Sequence, residues 1–245
     1  MLKMLIVGAT SALAHETVKF FAAEGAQLFL AGRNPDKLNL ISQDLKVRGA
    51  AQVETFVIDL NDFGRHQELV DEATSTLGGL DTVLFAHGTL SDQEESVRSI
   101  EMTLQELNTN FLSTVSLLTI IANQFEAQRR GVIAVISSVA GDRGRGSNYV
   151  YGAAMAGKTA FVSGLRARMH KFGVHVLTVK PGPIDTPMTA DLPKNALFGN
   201  APDTGYSIYK AMKSGTDVLY TPWYWRYIMM IIRSIPERVF KRTRL

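Results

Sequence analysis

Seven short apolar runs, rich in β-branched and aromatic residues, recur along the chain at residues 2–7, 27–31, 53–58, 82–86, 132–136, 175–179 and 218–220. Turn residues bound each run, and stretches with helical spacing lie between them, as expected for buried strands joined by crossover helices. Strands that alternate with helices pair in parallel, with helices on both faces. The predicted fold class is therefore a doubly wound parallel α/β sheet of about seven strands. A chain of 245 residues suits one such domain. An apolar share of 46% with 20% charged residues fits a globular protein rather than a disordered one. There is no cysteine, which excludes disulfides and thiolate catalysis. No internal repeat, low-complexity segment or linker interrupts the pattern.

The first run leads into Gly8-Ala-Thr10-Ser11-Ala12-Leu13-Ala14 and then a helix. Small residues in such a turn let backbone amides approach a pyrophosphate, and the helix N-terminus favours its charge. Taken by itself, the loop is equally a plain turn from strand to helix. The second run ends in Gly32-Arg33-Asn34-Pro35, where Asn34 and Pro35 form a helix start over residues 35–49. No acid stands at residues 30–33, where a ribose-binding carboxylate would be expected for NAD. Arg33 offers a fork suited to a 2′-phosphate, so NADP is the expected cofactor, with NAD possible through Asp36. His87 reads as a local hydrogen-bonder. Residues 97–128 read as helical, with Asn110 inside and Phe111, Val115 and Leu118 on a buried face.

Ser137 and Ser138 stand where the fifth run ends; a Gly/Arg-rich loop follows, and Tyr151 opens the next helix. This places a hydroxyl at a strand's carboxyl end and a phenol on the facing helix, beside the crevice where open α/β sheets bind ligands. A phenol there can exchange a proton with a carbonyl or an alcohol if its pKa falls from about 10.

These residues resemble the short-chain dehydrogenase/reductase family, whose signature is a Ser, about a dozen residues, then Tyr-x-x-x-Lys. Ser138 and Tyr151 fit; Gly8, Ala12 and Ala14 fall where the family has glycines; Lys180-Pro181-Gly182-Pro183-Ile184-Asp185-Thr186 resembles its Pro-Gly-x-x-x-Thr turn. The resemblance implies a Rossmann-like NADP-binding reductase domain over residues 1–220. It implies a cofactor held by Gly8, Thr10, Ser11, Leu13, Arg33, Asp59, Pro181, Gly182, Ile184 and Thr186. Asp59 would meet the adenine or else cap the next helix. Catalysis would fall to Tyr151, Ser138 and Asn110, the last kinking its helix and holding a water. Residues 189–200 would form a mobile lid, and no metal is implied. The helices around Asn110 and Tyr151 are where the family pairs, so a homo-oligomer is expected.

Met155 stands where the family carries its lysine. A unit charge about 5 Å from a phenol, at an effective dielectric near 20, is worth roughly 3 kcal/mol, or about two pKa units. Met155 supplies none of this. Lys158 lies about 10 Å from Tyr151 along the helix axis and is no obvious replacement; neither is Lys180. The expectation is an active but slow reductase in which Met155→Lys raises kcat, with a catalytically silent nucleotide-binding protein or a peripheral membrane protein as the alternative.

Residues 221–245 read TPWYWRYIMMIIRSIPERVFKRTRL, with Arg226 and Arg233 on one helix face and Pro236 breaking the pattern. Six basic residues against one acid in 218–245 leave the remainder at −2, so the net +3 belongs to the tail and a nucleic-acid role is not expected. Basic and aromatic residues together suit a helix in a bilayer interface, or else packed on the domain or in an oligomer. The tail, GATSALA and SNYVYG resemble a branch that includes a decaprenylphosphoryl-2-keto-pentose reductase. That implies a small-molecule or lipid-linked carbonyl substrate. The apolar N-terminal run is too short for a signal segment, so the expected location is cytoplasmic, with the inner face of the membrane as the alternative.

Overall fold

The computed structural model describes residues 1–243. The first half of the chain alternates β1 Lys3–Val7, α1 Ala12–Ala23, β2 Gln27–Gly32, α2 Pro35–Val47, β3 Gln52–Val57, α3 His66–Leu77 and β4 Thr82–Phe85. Three helices follow, α4 Gln93–Ser96, α5 Ile100–Leu107 and α6 Ser113–Gln128, then β5 Gly131–Ile136, α7 Tyr149–His170 and β6 Val174–Pro181. The last part holds β7 Ile184–Asp185, β8 Gly199–Asn200, α8 Ala201–Ser214, β9 Val218–Thr221, α9 Trp225–Ser234 and α10 Glu237–Phe240.

Seven strands form one sheet in the order β3-β2-β1-β4-β5-β6-β9, all pairs parallel. The inner strands are apolar on both faces because both are covered, whereas the edge strands β3 and β9 are partly exposed. In β1, Leu5 and Val7 pack with Leu69, Leu117 and Phe125 under α3 and α6. Met4 and Ile6 pack with Val18, Leu38 and Ile208 under α1, α2 and α8. Chain order reverses between β1 and β4, which opens a crevice beyond the strands' carboxyl ends. The expected start of α2 is present, since Asn34 accepts a hydrogen bond from the Lys37 amide at 2.9 Å.

Residues 97–128 are not one helix. Ser99 caps α5 separately, accepting from the Met102 amide, and a wide π turn at Asn108–Leu112 joins α5 to α6. The polar side chains there find partners outside the helix, which holds the turn open. The lid segment is pinned in part: Ile184 pairs with Gly199, and the Leu197 carbonyl accepts from the Trp225 indole at 3.2 Å. The tail begins within β9 and divides at Pro236 into α9 and α10. Trp225, Met229, Ile232 and Phe240 pack on Val139. The Arg143 guanidinium donates to the carbonyls of Ile232 and Ile235 and sits over the Phe240 ring. The opposite face of the tail is open to solvent, with Trp223 71% and Ile231 63% exposed.

Candidate active site

A cavity of about 500 Å³ lies beyond the carboxyl ends of the central strands. One end is built by the first turn. Gly8 has φ of +84°, and a Cβ there would lie 2.5 Å from the His87 backbone nitrogen. Ser11 begins α1 without using its side chain as a cap, and the first turn of α1 has no acid. The free amides therefore leave a small, electropositive cradle that suits a phosphate group. Gly8, Thr10, Ser11 and Leu13 line the cavity, and so do Arg33 and Asp59. Asp59 also accepts a hydrogen bond from the Asn61 amide at 3.0 Å, closing the turn before α3. At the other end Pro181, Gly182, Ile184 and Thr186 form the wall. Gly182 is required by close approach, because a Cβ there would run into the Trp225 ring.

Ser138, Tyr151, Met155 and Asn110 all line the same cavity. Ser138 stands two residues past the end of β5 and accepts from the Ala140 amide at 3.1 Å. Burial pushes the Tyr151 phenol up to about 12; hydrogen bonding with Ser138 works against this, Glu106 adds to it, and Arg145 opposes it. Asn110 is fully buried in the π turn. Its amide nitrogen donates to Glu106 at 2.6 Å and to the Thr89 carbonyl at 3.0 Å, and its oxygen accepts from the Thr89 amide at 2.9 Å. The side chain thus staples the π turn to the loop after β4. His87 bonds Ser113 at 2.8 Å, in keeping with a local role.

The two lysines differ. Lys180 pairs with Asp142, and both side chains are buried, so it is not free to face a nucleotide. Lys158, expected to lie too far along its helix, instead lines the cavity at 2% exposure. Its nitrogen donates to the carbonyl of Ile136, two residues before Ser138, at 3.4 Å. Burial brings its pKa down to about 7, and Glu106 opposes the shift. Tyr151, Met155 and Lys158 are spaced four and three residues apart and so share one face of α7. That spacing was legible in the sequence; the reach of the side chain and its lean toward the helix N-terminus carry the ammonium to the end of β5.

Two further wall residues escaped sequence reasoning. Arg145, in the Gly/Arg-rich loop, reaches the cavity and bears electrostatically on Tyr151. Its Nε is buried without a partner. Trp225 enters from the tail, and no local sequence signal links it to a turn so distant along the chain.

The chain matches the family model for short chain dehydrogenases over residues 3–197. An uncharacterized oxidoreductase of Mycobacterium tuberculosis is 33% identical over 239 residues, covering 98% of this chain and 96% of the other. Dehydrogenase/reductase SDR family member 7B of Xenopus tropicalis is 29% identical over 245 residues, covering 96% and 74%. Among solved structures, levodione reductase aligns with a TM-score of 0.78 at 22% identity, over 90% of this chain and 96% of the other. An actinorhodin polyketide ketoreductase with NADPH aligns at 0.80 and 18%, over 90% and 95%. The match across most of the length, carried by a sheet and cavity of matching design, means that the chain belongs to the short-chain dehydrogenase family and is an oxidoreductase.

Proposed function

We propose that the chain is an NADP(H)-dependent reductase of a ketone carbonyl, working reversibly on the corresponding alcohol. The observation that carries this reading is the placing of Ser138 and Tyr151 in one cavity with an uncapped helix N-terminus. A reduced nicotinamide, when bound, supplies a hydride to the carbonyl carbon. Tyr151 protonates the oxygen, and the Ser138 hydroxyl donates a hydrogen bond that fixes that oxygen in place. The glycine turn and the N-terminus of α1 would hold the pyrophosphate, and Ile184 and Thr186 would face the nicotinamide end. The test is NADPH oxidation with a panel of ketones by the wild-type chain and Tyr151→Phe. Binding of NADPH without turnover of any ketone would favour a silent nucleotide-binding protein instead.

Met155 by itself removes a cation from the helix turn after Tyr151. Slow turnover follows only if no other cation serves the site.

The preference for NADPH rests on Arg33, which is exposed at the cavity rim with Gly32 before it. Arg33→Ala is expected to raise the Kd for NADPH about tenfold or more and to leave that for NADH within about twofold. Equal effects on the two nucleotides would refute a 2′-phosphate contact.

We also propose that the substrate is lipid-linked and is met at an anionic bilayer. Trp223, Tyr227, Met230 and Ile231 are exposed beside Arg226 and Arg233, which supports an interfacial face. No helix among the described residues is long and apolar enough to cross a membrane. Because α9 carries Trp225 into the cavity wall, deletion of the tail would damage the site. The cleaner test is Met230→Glu/Ile231→Glu, expected to weaken sedimentation with phosphatidylglycerol vesicles about tenfold or more. A wild-type chain that stays in the supernatant would end this proposal.

A further inference from the structure

The cavity holds a cation that the mechanism above leaves idle. Lys158 is 2% exposed and lines the cavity. Its sole hydrogen bond among the described residues is long, at 3.4 Å, to the Ile136 carbonyl. An ammonium has three donors, and a buried charge is costly unless paired. No carboxylate among the described residues lies in ion-pair range of it, whereas the other buried lysine, Lys180, has Asp142. Structural burial alone does not account for a lysine left this short of partners at a ligand cavity.

The geometry supplies what the two free donors could meet. The contact with Ile136 places the nitrogen at the carboxyl end of β5, beside the strand residues that lead into Ser138. Met155 lies on the same helix face one turn earlier and also lines the cavity. A lysine side chain spans about 6 Å and leans toward the helix N-terminus, so its head covers the surface above residues preceding its own Cα. An ammonium rooted at residue 158 can therefore serve the space over residue 155, where the methionine offers only an apolar, flexible stem.

Building on the reductase reading, we infer that Lys158 is the nucleotide-binding cation of this site, donating to the hydroxyls of the ribose that carries the nicotinamide. Met155 and Lys158 then form an exchanged pair: the charge has moved one turn along α7, and the methionine fills the place it left. The lowered pKa of Lys158 in the free protein accords with donors awaiting an acceptor. With a diol in place, the charged form of Lys158 is favoured. The chain is then an ordinary reductase rather than an impaired one.

The test measures nucleotide binding by fluorescence titration. Lys158→Met is expected to raise the Kd for NADPH about tenfold or more. The Kd for 2′,5′-ADP, which lacks the nicotinamide ribose, should stay within about twofold. The exchanged variant Met155→Lys/Lys158→Met should recover NADPH affinity to within about threefold of wild type, while Met155→Lys alone should bring no gain in affinity or kcat. Unchanged NADPH binding by Lys158→Met overturns the inference and leaves the reductase reading standing. If Lys158→Met loses both ligands, the exchanged variant decides: recovery supports the inference, and failure to recover overturns it. A wild-type chain that binds no NADPH overturns the reductase reading itself.

Discussion

Tyr151→Phe should lower kcat/KM for ketone reduction about a thousandfold while leaving the NADPH Kd within about twofold. The ring is retained, so packing in α7 and the cavity's shape survive; the proton donor alone is lost, and a positioned general acid is worth roughly 10²–10⁴. Ser138→Ala should cost about a hundredfold, because the phenol remains but the carbonyl oxygen loses one donor. The two losses together should be less than multiplicative, since both act on one oxygen. The sign of the pH dependence also follows. Reduction needs the phenol protonated, so it falls as pH rises through the phenol's pKa in the loaded enzyme. Alcohol oxidation needs the phenolate and rises over the same interval. Burial holds that pKa at about 12 in the free protein, so a cation must act for the oxidative limb to appear nearer neutrality. Stopped-flow measurement of NADPH oxidation and steady-state alcohol oxidation would read both limbs. A Tyr151→Phe enzyme within about tenfold of wild type would remove the phenol from the reaction.

The sheet was legible because its inner strands are buried on both faces, and continuous apolar runs at residues 2–7 and 132–136 leave little else to be. The glycine turn, Ser138 and Tyr151 were legible because local spacing places them: each stands at a strand end or a helix start. What escaped was set by contacts distant in sequence. A kink at Asn110 was expected, but not that it would divide residues 97–128 into separate helices, nor that Thr89, twenty-one residues earlier, would hold the turn. Trp225 joins the cavity because Gly182, far earlier in the chain, has no side chain to exclude it. Arg143, in the Gly/Arg-rich loop, caps α9 through the Ile232 and Ile235 carbonyls, some ninety residues on. That Lys158 reaches the cavity and the Ile136 carbonyl depends on the length of its arm, which its Cα position does not show.

Lys180→Met should destabilise the protein by about 3–5 kcal/mol, the cost of removing one partner from a buried ion pair. Asp142 has 2% of its side chain exposed and Lys180 has 9%, so the carboxylate left behind could not turn to water. Its remaining donor is the Tyr220 hydroxyl, at 2.8 Å, and one neutral hydrogen bond does not replace an ammonium. For a chain of this size the loss corresponds to a fall in Tm of about 10 °C. Lys180→Met/Asp142→Asn should recover most of it: the amide keeps the shape, still accepts from Tyr220 and carries no charge. The pair also ties the loop after Ser138 to β6, just before the Pro181–Gly182 turn. It therefore joins two walls of the cavity, and the single variant should lose turnover beyond what its unfolded fraction explains. Thermal and urea unfolding of the two variants measure the stability difference. A loss under about 1 kcal/mol for Lys180→Met would put the pair in the range of solvated surface bridges and show that Ser138 is positioned by other contacts.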